Sequence, residues 1–186
     1  MRGPDDTLDT NLIEKVRRGN RAAFGELVEP HLPRLLGLAR RMLGSADEAE
    51  DALQNALAST WMARTKLDPA KPAVAYLTTV TLNKCRDRLR RRKVARFLGF
   101  GAFDPDMQIA SEAPDAESEI VDRQALEQVA RAIDRLPMRL REALVLVAID
   151  GRSQREVAEL LGVTEKTIET RIYRARQRLR EKLDFV

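Results

Sequence analysis

The residues of this chain with chemistry to offer are hydrogen-bond donors and cations. Along residues 164–180, Lys166, Thr170, Tyr173, Arg174 and Gln177 fall on one edge of a helical pattern. Ile168, Ile172, Ala175 and Leu179 repeat at four, three and four residues on the other edge. A helix with a thin apolar seam and donors across its outer face suits the major groove of DNA, where base edges present acceptors. An ordinary helical hairpin with solvated arginines fits the same pattern. A second run, Lys84, Arg86, Arg88, Arg90, Arg91, Arg92, Lys93 and Arg96, offers cations to a polyanion. Bond-breaking chemistry finds no support. There is no phosphate-cradling glycine loop, no cluster of metal ligands and no histidine placed to activate a nucleophile. With Cys85 the only cysteine and His31 the only histidine, a structural zinc site is excluded and no internal disulfide can form. The reading is of a binding protein that is not an enzyme and uses no cofactor or metal.

The elements that must position these groups are helical. Ser153 and Glu156 form a capping-box pair that opens a helix with Val157, Ala158, Leu160 and Leu161 on its apolar stripe. Gly162 and Val163 make a tight turn, and Thr164 caps the basic helix. Upstream, Asn20 caps a helix whose apolar face runs through Phe24, Leu27, Leu35, Leu36 and Met42, with Pro30 and Pro33 as kink points. Ser45 and Glu48 form a second capping-box pair, opening a helix to about Lys66. After the loop DPAKP, a long helix is expected over residues 73–97, with Tyr76, Leu77, Val80, Cys85 and Leu89 facing inward. Residues 120–133 give a further helix, and Pro137 suits the first position of another.

Composition agrees with that reading. Of the 186 residues 33% are charged, 44% apolar and only 4% aromatic, a balance that favours helices over a sandwich or barrel. The net charge of +4 conceals segregation, because residues 104–122 contain acids and no base. The expected class is all-α: two small helical domains joined by a flexible linker. Their bounds are a frayed terminus at 1–9, a first domain at 10–97, an acidic linker at 98–118 and a helix-turn-helix domain at 119–186. Phe97, Leu98, Phe100 and Phe103 are too apolar for a free spacer and dock somewhere, between the domains, on an inhibitor or polymerase, or on the end of the long helix. No signal peptide or long apolar span is visible, so a cytoplasmic protein with no membrane insertion of its own is expected.

Three segments together resemble one family. EAEDALQNAL (residues 48–57) is similar to an acidic helix signature. Residues 61–92, WMARTKLDPAKPAVAYLTTVTLNKCRDRLRRR, resemble a loop followed by a promoter-melting helix. Residues 136–181 match a helix-turn-helix domain almost throughout. In this order they resemble bacterial RNA polymerase sigma factors of the extracytoplasmic-function group, of the sigma-70 type. The resemblance implies core RNA polymerase and promoter DNA as partners, and an anti-sigma factor as inhibitor. By position it implies polymerase docking at Glu48, Asp51, Gln54 and Asn55. It implies a minus-10 surface in which Leu67, Val80 and Asn83 form a base-capturing pocket and Lys84, Arg86, Arg88, Arg90 and Arg91 hold phosphates. It implies a minus-35 surface of Lys166, Thr167, Glu169, Thr170, Arg171, Tyr173, Arg174 and Arg178.

The chain departs from the family pattern at several positions. Asn55 replaces a glutamate, Ala73, Tyr76 and Thr78 replace bulkier aromatics, Leu67 offers no ring, and Glu169 stands where a base is common. Leu67 and Val80 fit plain core packing equally well, and Trp61 is assigned to the core. Arg174 can read a guanine edge through two donors, while Lys166, Arg171 and Arg178 suit phosphates. The competing functions are a conventional helix-turn-helix regulator that binds duplex without replacing sigma, and a sigma mimic that titrates an inhibitor.

Overall fold

The structure, a computed structural model, describes residues 5–98 and 117–183, and these contain helices and no strand. The helices are α1 (Asp5–Arg17), α2 (Arg21–Val28), α3 (Leu32–Leu43), α4 (Ala46–Met62), α5 (Ala73–Phe97), α6 (Glu117–Asp134), α7 (Met138–Leu144), α8 (Gln154–Leu161) and α9 (Glu165–Leu183). The helix bounds sharpen the expectations. The N-terminal helix starts at Asp5, inside the segment expected to fray. Asn20 accepts from the Ala23 amide at 3.0 Å and caps α2. The prolines divide the next helix rather than bending it. Pro30 falls in a 3₁₀ turn over Glu29–His31, and α3 begins at Leu32. Likewise α4 stops at Met62, and a 3₁₀ turn, Arg64–Lys66, carries the chain to the loop.

At α4 the expected capping box is half formed. The Ser45 hydroxyl accepts from the Glu48 amide, but the Glu48 carboxylate turns away toward Arg88 and Arg92. Burial decides this: Glu48 is only 8% exposed, so its charge is satisfied by guanidinium groups instead of an amide. Before α8 the box is complete, with Ser153 and Glu156 each serving the other's backbone amide.

Two apolar clusters organise the N-terminal half and its contacts. The first joins Leu12, Ile13 and Val16 of α1 to Leu27, Leu35, Leu53, Leu67 and Leu77. Trp61 packs on its edge, tilted against Phe24 with ring centroids 5.4 Å apart, as the core assignment requires. Arg21 and Arg64 lie over the Trp61 ring at 5.8 and 5.0 Å.

The second cluster belongs to both halves. Leu38, Met42, Leu43, Leu82 and Cys85 meet Val145, Leu146, Val157, Ile168 and Ile172 in one continuous core. The two expected domains are therefore packed together, α3 against α6 and the turn after α7, and α5 against α8. That turn, Val145–Ile149, is π-helical and carries two fully buried side chains into the shared core. Gly44 is required where the halves touch. It ends α3 with φ +67°, and a Cβ there would lie 2.3 Å from the Asp134 carboxylate. Most of the expected acidic linker, including Phe100 and Phe103, lies outside the described residues. Phe97 and Leu98 are exposed.

Candidate nucleic-acid interface

The basic helix α9 is held by its seam. Ile168 and Ala175 are fully buried and Ile172 nearly so, packed against α7, α8 and α6. Each of the two isoleucines contributes about 1.5–3 kcal/mol by leaving water. Gly162, with φ +64°, turns the chain out of α8, and Thr164 accepts the Thr167 amide at 3.2 Å to start α9. With the seam facing inward, the outer edge is presented to solvent. Lys166, Glu169, Tyr173, Arg174 and Arg178 are exposed, and Arg171 is half-buried. Tyr173 is 68% exposed, high for an aromatic ring in a lean core.

Two of the expected contacts need amendment. Thr170 donates its hydroxyl to the Lys166 carbonyl at 2.8 Å, so toward a base it presents an acceptor. The Thr167 hydroxyl lies 2.8 Å from that of Thr164 and belongs to the cap of α9. Lys166 and Glu169 pair at 2.8 Å, an exposed contact worth about 0–1 kcal/mol that a phosphate can displace.

The cations of α5 have a different setting. The Nε and Nη2 of Arg86 fork the Glu142 carboxylate of α7 at 2.5 and 3.1 Å, and its Nη1 donates to the Asn83 Oδ1 at 2.8 Å. That carboxylate raises the Arg86 guanidinium above its ordinary pKa, against the desolvation that lowers it. Arg88 reaches Glu48 at 3.3 Å and Asp51 at 3.9 Å, Arg90 reaches Asp87 at 3.3 Å, and Arg92 pairs with Glu48. Lys84 is half-buried and Arg91 exposed.

The base-capturing pocket expected from Leu67 and Val80 is not assembled as such. Leu67 is only 2% exposed and packs in the N-terminal core, so its side chain presents no wall to an unstacked base, whereas Val80 is half-buried and Asn83 exposed. The loop itself is firmly placed. Arg17 donates to the Leu67 carbonyl at 2.8 Å and Thr10 to the Pro69 carbonyl at 3.1 Å. An open groove of about 630 Å³ runs between this loop and α8, lined by Lys66, Asp68, Tyr76, Thr79, Arg152 and Glu159.

On α4, Asp51, Gln54 and Asn55 stand exposed on one stretch, and Asn55 donates to the Asp51 carbonyl at 2.7 Å. Glu48 leaves this group. It is buried beneath Arg88 and Arg92, so it positions α5 against α4 and has no free face for a partner.

The polar contacts between the halves were not foreseen. Arg141 is 4% exposed, donates to the Met42 carbonyl at 2.7 Å and lies 3.2 Å from Asp134. Burial lowers the Arg141 pKa and raises that of Asp134. Arg34 forks Asp150 at 2.7 and 3.1 Å, and Arg152 joins Asp150 at 2.7 Å to the Thr78 hydroxyl at 3.0 Å. The available signal was the pair Arg141 and Glu142 standing beside Leu140 and Leu144 on a helix with an apolar face. Charges there need partners, but a sequence does not name them.

Comparisons with known proteins agree with the geometry. Residues 27–94 match the model of sigma-70 region 2 and residues 126–179 that of sigma-70 region 4. The chain is similar to the RNA polymerase sigma factor CnrH of Cupriavidus metallidurans, at 37% identity over 97% of this chain and 96% of that one. The solved structure of CnrH with the cytosolic domain of CnrY matches with a TM-score of 0.68, at 33% identity over 95% and 97% of the two chains. The ECF RNA polymerase sigma factor SigM of Mycobacterium tuberculosis is 32% identical over 99% of this chain and 89% of that protein. The sigma factor RpoE of Bartonella quintana, solved with the anti-sigma factor NepR, matches with a TM-score of 0.70 at 26% identity, over 87% and 97% of the chains. With a region 2 that carries the basic α5 and a region 4 that presents α9, the chain belongs to the sigma-70 family, as an RNA polymerase sigma factor of the extracytoplasmic-function group.

Proposed function

We propose that this sigma factor docks on core RNA polymerase through Asp51, Gln54 and Asn55 of α4, reads a minus-35 element with α9 and engages a minus-10 element with α5 and its preceding loop. The observation that carries the proposal is the outer edge of α9, a row of exposed donors on a helix locked by a buried seam. Arg174 and Tyr173 address base edges, while Lys166, Arg171 and Arg178 hold phosphates and set register. Along α5, Asn83 reads an unstacked base and Lys84, Arg86, Arg88, Arg90 and Arg91 follow the backbone.

The protein supplies no chemistry of its own and takes no cofactor. An anti-sigma factor is its inhibitor, and the Bartonella quintana relative was solved in complex with one, NepR. Among the described residues no helix is long and apolar enough to cross a membrane, and work on promoter DNA places the protein in the cytoplasm.

The test is in vitro transcription over a genomic fragment library with core polymerase, with and without the protein. New start sites that appear only with both components support the reading. Tight duplex binding by the purified protein alone, with no new transcripts, would instead mark a conventional helix-turn-helix regulator.

A further inference from the structure

Glu169 is an acid on the edge of α9 that the reading above turns toward a polyanion. Its side chain is 57% exposed, and one carboxylate oxygen takes the Lys166 ammonium at 2.8 Å. An exposed pair of that kind adds little to stability, so the fold does not account for the acid.

The charges of α9 are sorted by side. Arg171, Arg174 and Arg178, spaced three and four apart, run along one shoulder of the outer face, and Glu165 and Glu169, four apart, lie on the other. Cations return to the second shoulder only two turns later, at Arg176 and Arg180. A recognition helix enters the major groove with its first turns toward the base edges. The arginine shoulder suits the phosphates of one strand. Phosphate repels the acidic shoulder, so a helix seated in the groove turns Glu169 to the base edges instead.

The next residue narrows the choice of base. Thr170 spends its only hydroxyl proton on the Lys166 carbonyl at 2.8 Å, so it too offers acceptors. Two consecutive side chains thus present acceptors to a groove in which only the amino groups of cytosine and adenine donate. On adenine the N7 acceptor lies beside the amino group and opposes a carboxylate. Guanine presents only acceptors, and thymine an acceptor and a methyl group. Cytosine alone offers a donor with no acceptor on its own edge.

We propose that Glu169 selects a cytosine in the minus-35 element by accepting a hydrogen bond from its N4 amino group. The proposal rests on the minus-35 reading of α9. It adds to Arg174, which demands acceptors, a second specificity determinant that demands a donor.

The experiment takes a promoter found in the transcription assay, randomises its minus-35 element and counts base preference at each position among fragments bound by the holoenzyme. The wild type is expected to prefer C·G at one pair. E169A is expected to lose about tenfold of that preference while other positions keep theirs. E169Q is expected to shift the same pair toward A·T, because an amide matches adenine N6 and N7. K166M is expected to weaken all sequences alike, and E169A to keep its effect at one position in that background. Circular dichroism establishes that each variant is folded.

Unchanged preferences in E169A would overturn the assignment, as would an even gain in affinity across all sequences or a wild-type preference for another base at the affected pair. An effect of E169A that vanishes in the K166M background would reduce Glu169 to a support for Lys166 and overturn it too. R174A separates the proposal from the reading beneath it. If R174A relaxes one base pair and E169A none, the minus-35 reading stands and Glu169 has no part in it. If the wild-type holoenzyme shows no preference anywhere in the element, the reading of α9 falls and the proposal with it.

Discussion

Helices α5 and α9 are both long, both basic and both assigned to DNA, yet they hold their cations differently. On α9 the outer edge faces solvent, and among its described pairs only Lys166 meets a carboxylate, its neighbour Glu169. On α5, Arg86, Arg88, Arg90 and Arg92 each meet an acid, and Glu142 and Glu48 among these acids are buried. An exposed cation keeps its hydration and exchanges it readily for phosphate. A cation forked on a buried carboxylate must first leave a charge behind in a poorly solvated place, at a cost of about 3–5 kcal/mol when one partner is lost. Two basic helices thus differ in kind, one with its cations open to solvent and one with several of them already paired. The difference lies in what packs beside each.

Substitutions can break or sharpen this contrast. The largest effect is expected where α9 depends on its seam. Ile168→Ala should cost about 2–5 kcal/mol in chemical denaturation, because Ile168 is fully buried between α9 and the shared core. A loss under 1 kcal/mol would mean that the seam does not lock the helix.

Next, Glu48→Ala removes the acid beneath Arg88 and Arg92. It should lower stability by about 1–3 kcal/mol. It should also make α5 resemble α9, with tighter and more salt-dependent binding to non-specific DNA. Unchanged salt dependence would break the contrast.

Arg174→Ala should cost about 1–3 kcal/mol at one base pair in the minus-35 element while preference at other positions persists. Arg91→Ala should weaken binding evenly across sequences and reduce the salt slope by about 1. An even loss for Arg174 would make it a phosphate contact as well.

The smallest effect concerns the cap that starts the helix-turn-helix. Ser153→Ala should cost about 1 kcal/mol in thermal melting. The hydrogen bonds from the Ser153 hydroxyl and amide hold the Glu156 carboxylate below its ordinary value of 4.5. A lowered carboxylate pKa contributes stability that is present above 4.5 and lost as pH falls through the lowered value. The gap between Ser153→Ala and the wild type should therefore narrow in acid to what the bond from the Glu156 amide to the Ser153 hydroxyl contributes, and a gap that does not change with pH would place the effect elsewhere.

Much of this molecule was legible from its residues. Asn20, Ser153 and Gly162 marked helix ends because capping is a local matter between neighbours in the chain. The four-three-four spacing of Ile168, Ile172, Ala175 and Leu179 marked the face of α9 that would be buried, since helical periodicity puts them in one row. The span of α5 from Ala73 to Phe97 coincides with the expected helix, which has no proline or glycine to end it sooner. Leu67 and Glu48 were not legible in the same way. Each fits its own segment in two ways, and which one holds depends on α1 lying over the loop and α5 lying over α4.

The amino-acid order alone determined most of the helices, the caps at Asn20 and Ser153, the exposed edge of α9 and the segregation of charge, because these arise from contacts a few residues apart. Only the tertiary structure decided that Arg86 meets Glu142, 56 residues away, that Arg34 meets Asp150, and that both halves share one core. Pairings of that kind are chosen by burial. A charge enclosed by two packed surfaces takes whichever counter-charge the packing brings within reach, and separation along the chain carries no record of that choice.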